Sequence, residues 1–127
     1  ITASVLKEEL LMKAAELAEV SNSDRDRVLR KVCHMKNINL ATASDKEIQS
    51  LISHTDLLIA RYRLKAEIED TAELLGLDMT TLTAQVKKNC DLNSLESINE
   101  AIDELQERRE NVSPEDELLK LAEELLI

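Results

Sequence analysis

The chain contains a single glycine, Gly76, and a single proline, Pro114, among 127 residues. An all-β fold would need many such residues for its tight turns. Tyr62 is the only aromatic residue, whereas sheets favour aromatic and β-branched side chains. The core must therefore be built from Leu, Ile, Val, Ala and Met, as is usual in helix bundles. We predict an all-α fold.

Apolar residues recur at helical spacing in six segments. We predict a single helical domain, 1–127, that forms a compact bundle of about six helices with one long central helix. The predicted helices are 4–20, 24–36, 45–75, 79–88, 94–110 and 114–127.

Capping signals support these boundaries. Ser44 with Glu47 is a capping box before the long helix, and Ser113 with Pro114 marks the start of the last helix. Ser23, Asp78 and Asn93 are predicted to cap the second, fourth and fifth helices.

The long helix carries two apolar stripes that are rotated from one another. It either bends near residues 60–65 or continues as one rod. The first stripe comprises Ile48, Leu51, Ile52, Leu58, Ile59 and Tyr62, and the second Leu64, Ile68, Ala72 and Leu75.

Two halves of the chain resemble each other. The stretch from Leu6 to Val20 resembles that from Leu64 to Leu77, and in both cases a shorter and then a longer helix follow. These similarities are consistent with an internal duplication of 6–63 and 64–110, followed by the C-terminal helix 114–127. Leucine-rich helices also resemble one another by chance, so both explanations stay open.

Residues 72–88 show a turn between two helices. Ala72 is the small residue of the first helix, Gly76 lies at the turn, and Thr81 and Lys87 lie in the second helix. This pattern resembles the helix-turn-helix of the Fis type. The resemblance implies a DNA-binding regulator that would use the following residues: Ala72, Gly76, Thr80, Thr81, Gln85, Lys87 and Lys88.

The net charge around this stretch favours a turn with a structural role over a turn that binds DNA. Residues 64–90 contain five acidic and three basic residues, a net charge of −2. Most non-specific affinity for DNA comes from attraction to phosphates, which requires positive charge. Gly76 is then the residue that ends one helix before an N-capped helix begins.

Charge is distributed unevenly along the chain, whose net charge is −10. Residues 24–36 carry +3 and residues 95–127 carry −8. The acidic end suits either a hydrated surface or an acidic mimic of nucleic acid that inhibits a nucleic-acid-binding protein. The candidate basic patch comprises Arg25, Arg27, Arg30, Lys31, Arg61 and Arg63.

Catalytic and metal-binding patterns are weak. Cys33 and His34 are adjacent, so a helix points them about 100° apart, and neither His54 nor Cys90 completes a known ligand spacing. The sequence has no phosphate-binding glycine loop and no nucleophile elbow. We predict no enzyme activity, no cofactor and no metal.

Apolar surface is the remaining signal. Leu118, Leu121, Leu125 and Leu126 give the last helix a wide apolar face, which is predicted to be an interaction surface. We expect a non-catalytic adaptor, regulatory or assembly factor that binds another protein or itself, with a homodimer favoured over a nucleic-acid complex. No apolar run approaches the length of a membrane span, so no membrane partner is expected. Two cysteines are too few to cross-link a domain, so we expect reduced, buried thiols in a cytoplasmic (intracellular) protein.

Overall fold

The computed structural model describes the backbone of residues 2–111 and 114–126, and the side chains of residues 5–111, 118, 119 and 121–125. These residues form six α-helices and one short 3₁₀ helix, and no strand occurs among them. The prediction of an all-α fold with a long central helix is confirmed. The helices are α1 (Thr2–Val20), α2 (Arg25–Met35), α3 (Asp45–Leu75), α4 (Met79–Asn89), α5 (Leu95–Glu110) and α6 (Pro114–Leu126), with the 3₁₀ helix at Leu40–Thr42.

Two predicted helix starts are confirmed. The Ser44 hydroxyl accepts a hydrogen bond from the Glu47 N–H at 3.2 Å, and the Ser44 N–H donates to the Glu47 carboxylate at 3.0 Å. This reciprocal pair is the predicted capping box. Asp78 caps α4 by accepting a hydrogen bond from the Thr81 N–H at 3.0 Å.

Two other predicted starts differ. Asp24, not Ser23, is the N-cap of α2, because the Ser23 N–H donates to the carbonyl of Ala18 and so belongs to the end of α1. Helix α5 begins at Leu95, one residue later than predicted, and the Asn93 side-chain oxygen accepts a hydrogen bond from Arg61 at 2.7 Å. The capping role of Asn93 stays a prediction. The predicted cap Ser113 lies outside the described residues.

Within the described part of the chain, three helices end with a residue in the left-handed conformation. Asn22, Asn37 and Gly76 have φ values of 52°, 53° and 65°. In each case the following N–H reaches back to a carbonyl five residues earlier, as in the Schellman motif. Asparagine therefore takes the left-handed conformation at two helix ends, and glycine takes it at the third.

The long helix α3 runs without a break for 31 residues, but it belongs to two units. The first unit comprises residues 1–63 with 93–95, and the second comprises 64–92 with 96–127. The boundary at Arg63 and Leu64 is the one expected for a duplication. The common origin of the two halves stays a prediction.

The core of the first unit is aliphatic. Helix α1 packs against α2, and the first part of α3 completes the cluster. Ile38 and Leu40 from the loop pack against it. The buried residues of this cluster are Leu10, Leu17, Ala18, Val28, Val32, Ile48, Leu51, Ile52 and Ile59.

Buried residues of the second unit lie at corresponding helix positions. Counted back from the left-handed residue that ends each helix, Asn22 or Gly76, the positions of Leu64, Ile68 and Ala72 on α3 match those of Leu10, Ala14 and Ala18 on α1, and all six are buried. This register differs by four residues from the sequence match of Leu6 with Leu64. On α4, Leu82 corresponds to Val28 of α2, and on α5 Ile98 corresponds to Ile48 of α3.

Val20 and Tyr62 are large apolar residues of the first unit that are exposed. Val20 is the last residue of α1, and its side chain is 39% exposed. Tyr62 was expected to extend the first stripe of α3, but its side chain is 41% exposed. It lines a surface groove instead.

Candidate functional site

A groove with a volume of about 320 Å³ opens beside α2 in the first unit. We call it the α2 groove. Residues of α2 one helical turn apart form one wall, α3 forms another, and the turn after α1 closes it. Its lining residues are Leu17, Ser21, Asn22, Ser23, Val28, Lys31, Val32, Met35, Leu58 and Tyr62.

Large apolar side chains reach solvent at this groove. Met35 is 61% exposed and Tyr62 is 41% exposed, while Val28 and Val32 lie buried at its base. Methionine adapts its shape to different partners, and tyrosine combines apolar contact with a hydroxyl. The groove can therefore hold apolar side chains, and the Lys31 ammonium on its wall can meet a carboxylate.

The second unit has a groove between α4 and α5. This α4 groove has a volume of about 170 Å³. Its lining residues are Leu82, Gln85, Val86, Asn89, Cys90, Ser97, Glu100, Ala101, Glu104, Leu105 and Arg108.

Side chains distinguish the two grooves. Gln85 and Asn89 lie on α4 where Lys31 and Met35 lie on α2, and Arg108 takes the place of Leu58. The exposed apolar side chains are thus found at the α2 groove, while the α4 groove has a polar rim. The α2 groove is the stronger candidate for apolar recognition.

Hydrogen bonds and ion pairs engage several cations of the predicted basic patch. Arg63 pairs with Glu16, and Arg61 donates to Asn93. Arg25 lies 3.5 Å from the carboxylate of Asp26, and Arg30 donates to the Asp26 carbonyl at 3.4 Å. Arg27 and Lys31 are exposed on α2, and of these two only Lys31 lines the α2 groove.

The residues of the helix-turn-helix resemblance lie on α3, the turn and α4. Ala72 is buried, Gly76 takes the left-handed conformation, and Thr80 is exposed. Thr81, Gln85, Lys87 and Lys88 are also exposed.

Asp78 at the start of α4 is held by Thr81. The backbone N–H and the hydroxyl of Thr81 donate to its carboxylate, at 3.0 and 2.9 Å. These two hydrogen bonds lower the pKa of Asp78 because they stabilise its charged form. An anionic group therefore sits where a helix-turn-helix would approach DNA phosphate.

Histidine and cysteine residues do not converge. Within the described part of the chain, no three His, Cys, Asp or Glu side chains could together hold a metal ion. Burial raises the pKa of the Cys33 thiol, which packs against the core of the first unit. Burial lowers the pKa of His54, and the nearby charges of Lys36 and Arg61 lower it further.

The predicted apolar surface on α6 is exposed. Leu118, Leu121 and Leu125 are 66%, 52% and 78% exposed, and Leu119 is 65% exposed. The side chain of Leu126, the fourth residue predicted for this surface, lies outside the described residues.

No family model, curated protein or solved structure matches this chain. Among the described residues, no helix is both long and apolar enough to cross a bilayer.

Met35 and Tyr62 are the site residues that the sequence did not reveal. Tyr62 lies on the first apolar stripe of α3, so periodicity assigns it to a core face, whereas no prediction was made for Met35. The one available signal was that Tyr62 is the only aromatic residue, because tyrosine favours surfaces where one end of the ring stays hydrated.

Proposed function

We propose that the protein is a non-catalytic interaction factor, of the adaptor, regulatory or assembly kind, and that the α2 groove receives an amphipathic helix of a partner protein. The observation that carries this proposal is the exposure of Met35 and Tyr62 at a groove with a buried aliphatic base. Helix-in-groove recognition uses apolar anchors at successive turns of the bound helix.

The spacing of the lining residues supports this mode. Val28, Val32 and Met35 follow one face of α2, so the groove runs along the helix. Lys31 lies on the same wall and would favour a partner helix with carboxylates beside its apolar face.

Site-specific photo-cross-linking tests the proposal. A photoreactive phenylalanine derivative is incorporated in place of Tyr62, and in a control protein in place of Gln49, which is exposed on α3. Native lysate is irradiated with and without nuclease. We expect nuclease-resistant protein cross-links from position 62 and not from position 49.

A pair of methionine variants sharpens the outcome. Met35→Asp should abolish the cross-links from position 62, because it puts a charge on the wall of the groove. Met12→Asp makes the same change at an exposed methionine of α1 outside the groove and should preserve them. Cross-links that survive Met35→Asp, or that require nucleic acid, would count against groove recognition.

A second candidate function is DNA binding through α3 and α4. The left-handed Gly76 between the two helices, with Gln85 and Lys87 exposed on α4, favours it. Duplex DNA at low salt is the probe, with anisotropy as the readout. Binding that is lost in Lys87→Glu/Lys88→Glu would support this function, and no binding at low salt would remove it.

A further inference from the structure

Helix α6 combines an apolar face with strong negative charge. Leu118, Leu121 and Leu125 are spaced three and four residues apart, so they share one side of the helix, and all three are exposed. Residues 114–126 contain five acidic residues and one lysine, a net charge of −4. An apolar face exposed to this degree is typical of an interaction surface.

The α2 groove has the complementary character. It exposes Met35 and Tyr62 beside Lys31, and residues 24–36 around it carry a net charge of +3. The basic groove and the acidic leucine-bearing helix thus occur in the same sequence. Each copy of the protein therefore carries one groove and one such helix.

We infer that α6 of one copy docks in the α2 groove of a second copy. Leu121 and its neighbours on the same face contact Met35 and Tyr62, and Glu124 lies near Lys31. This inference rests on the proposed function of the groove and names its partner as a second copy of this chain.

Charge favours this contact over the symmetric alternative. Pairing α6 with α6 would place two helices of −4 side by side, and like charges across an interface disfavour association. Docking α6 in the α2 groove pairs opposite charges instead. When two copies exchange their α6 helices, the contact occurs twice and the dimer is closed.

Sedimentation velocity of the full chain, from low to high micromolar concentration, is the first test. We expect a concentration-dependent dimer whose dissociation constant rises about tenfold or more in Leu121→Glu, which removes an apolar anchor. Leu119→Glu is the matched control. Leu119 is also exposed, 65% against 52% for Leu121, but two residues of helix rotation place it on the opposite side of α6.

A charge exchange between two copies is the second test. Lys31→Glu and Glu124→Lys should each weaken self-association, and an equimolar mixture of these two variants should form a heterodimer. Lys46→Glu is the control, because it makes the same charge change at an exposed residue of α3 that lies outside residues 24–36 and outside the groove lining. Circular dichroism checks that each variant is folded.

The outcomes separate the inference from the proposed function. A monomeric mass at every concentration overturns the inference, whatever fills the groove, and equal weakening by Leu119→Glu and Leu121→Glu does so too. If the protein is monomeric while position 62 still cross-links to other proteins, only the identity of the partner is wrong. Heterodimer formation between the charge-exchanged variants would establish the contact.

Discussion

The guanidinium of Arg109 on α5 lies 2.5 Å from the carboxylate of Glu67 on α3, within the second unit. Both side chains are only about one fifth exposed. Arg109 also donates to the Glu67 carbonyl and to the Thr71 hydroxyl, each at 3.2 Å, and Gln106 donates to the Glu67 carboxylate at 3.1 Å. One polar network therefore joins the two helices.

We expect Arg109→Met to lower the free energy of unfolding by about 1–3 kcal/mol, because it leaves the half-buried Glu67 carboxylate without its cation. Urea unfolding followed by circular dichroism measures the change. The double variant Glu67→Met/Arg109→Met should recover part of the loss, since it removes both charges together.

Arg108→Met is the control for this network. Arg108 is the exposed neighbour of Arg109, so its replacement should change stability by no more than about 0.5 kcal/mol. Equal effects at positions 108 and 109 would show that the network does not stabilise the second unit.

Position 76 requires glycine because of its backbone conformation, and not because a side chain would lack space. Its φ is +65°, and an added Cβ would meet no atom within 4 Å. We expect Gly76→Ala to cost about 1–2 kcal/mol from backbone strain alone. Gly76→Asn should cost less, because asparagine tolerates this region and already occupies it at Asn22 and Asn37. Chemical denaturation compares the two, and equal costs would contradict this account.

The fold was predictable because its signals are local. Six helices follow from apolar periodicity and from caps such as Ser44 and Asp78, which act over three or four residues. The assignment of Ser23 as a cap failed because its N–H closes the preceding helix instead. The signals for the end of α1 and for the start of α2 both fall within residues 21–24, and the sequence pattern does not separate them.

The α2 groove was not predictable for a different reason. It depends on residues from α1, α2 and α3 that are distant in sequence and meet only by packing. Periodicity shows that Tyr62 lies on an apolar stripe of α3. It does not show where along α3 the other helices stop burying that stripe. In contrast, the exposed leucines of α6 were predictable, because they form one continuous helical face.

The capping box offers a prediction that also tests the corrected start of α2. Ser44→Ala should lower the free energy of unfolding by about 1 kcal/mol, because it removes the acceptor for the Glu47 N–H at the start of α3. Ser23→Ala should change it by less than about 0.5 kcal/mol, because only the backbone N–H of Ser23 closes α1. Equal losses in thermal or urea unfolding would contradict the assignment of Asp24 as the cap.

His54 on α3 makes the stability of the protein depend on pH. Its Nε2 atom is buried with no hydrogen-bond partner among the described residues, and burial together with the charges of Lys36 and Arg61 lowers its pKa. The unfolded chain therefore binds a proton more readily than the folded protein, with a pKa of about 6.5. We expect the free energy of unfolding to be highest above this pH. It should decrease as the pH drops below this value, until His54 is also protonated in the folded state.

His54→Gln should flatten the part of this profile just below about pH 6.5, because glutamine does not titrate. Urea midpoints measured at several pH values for wild type and variant give the comparison. His34→Gln is the matched control, since it makes the same substitution at an exposed position on α2. A wild-type profile that His54→Gln does not alter would show that another group is responsible for the pH dependence.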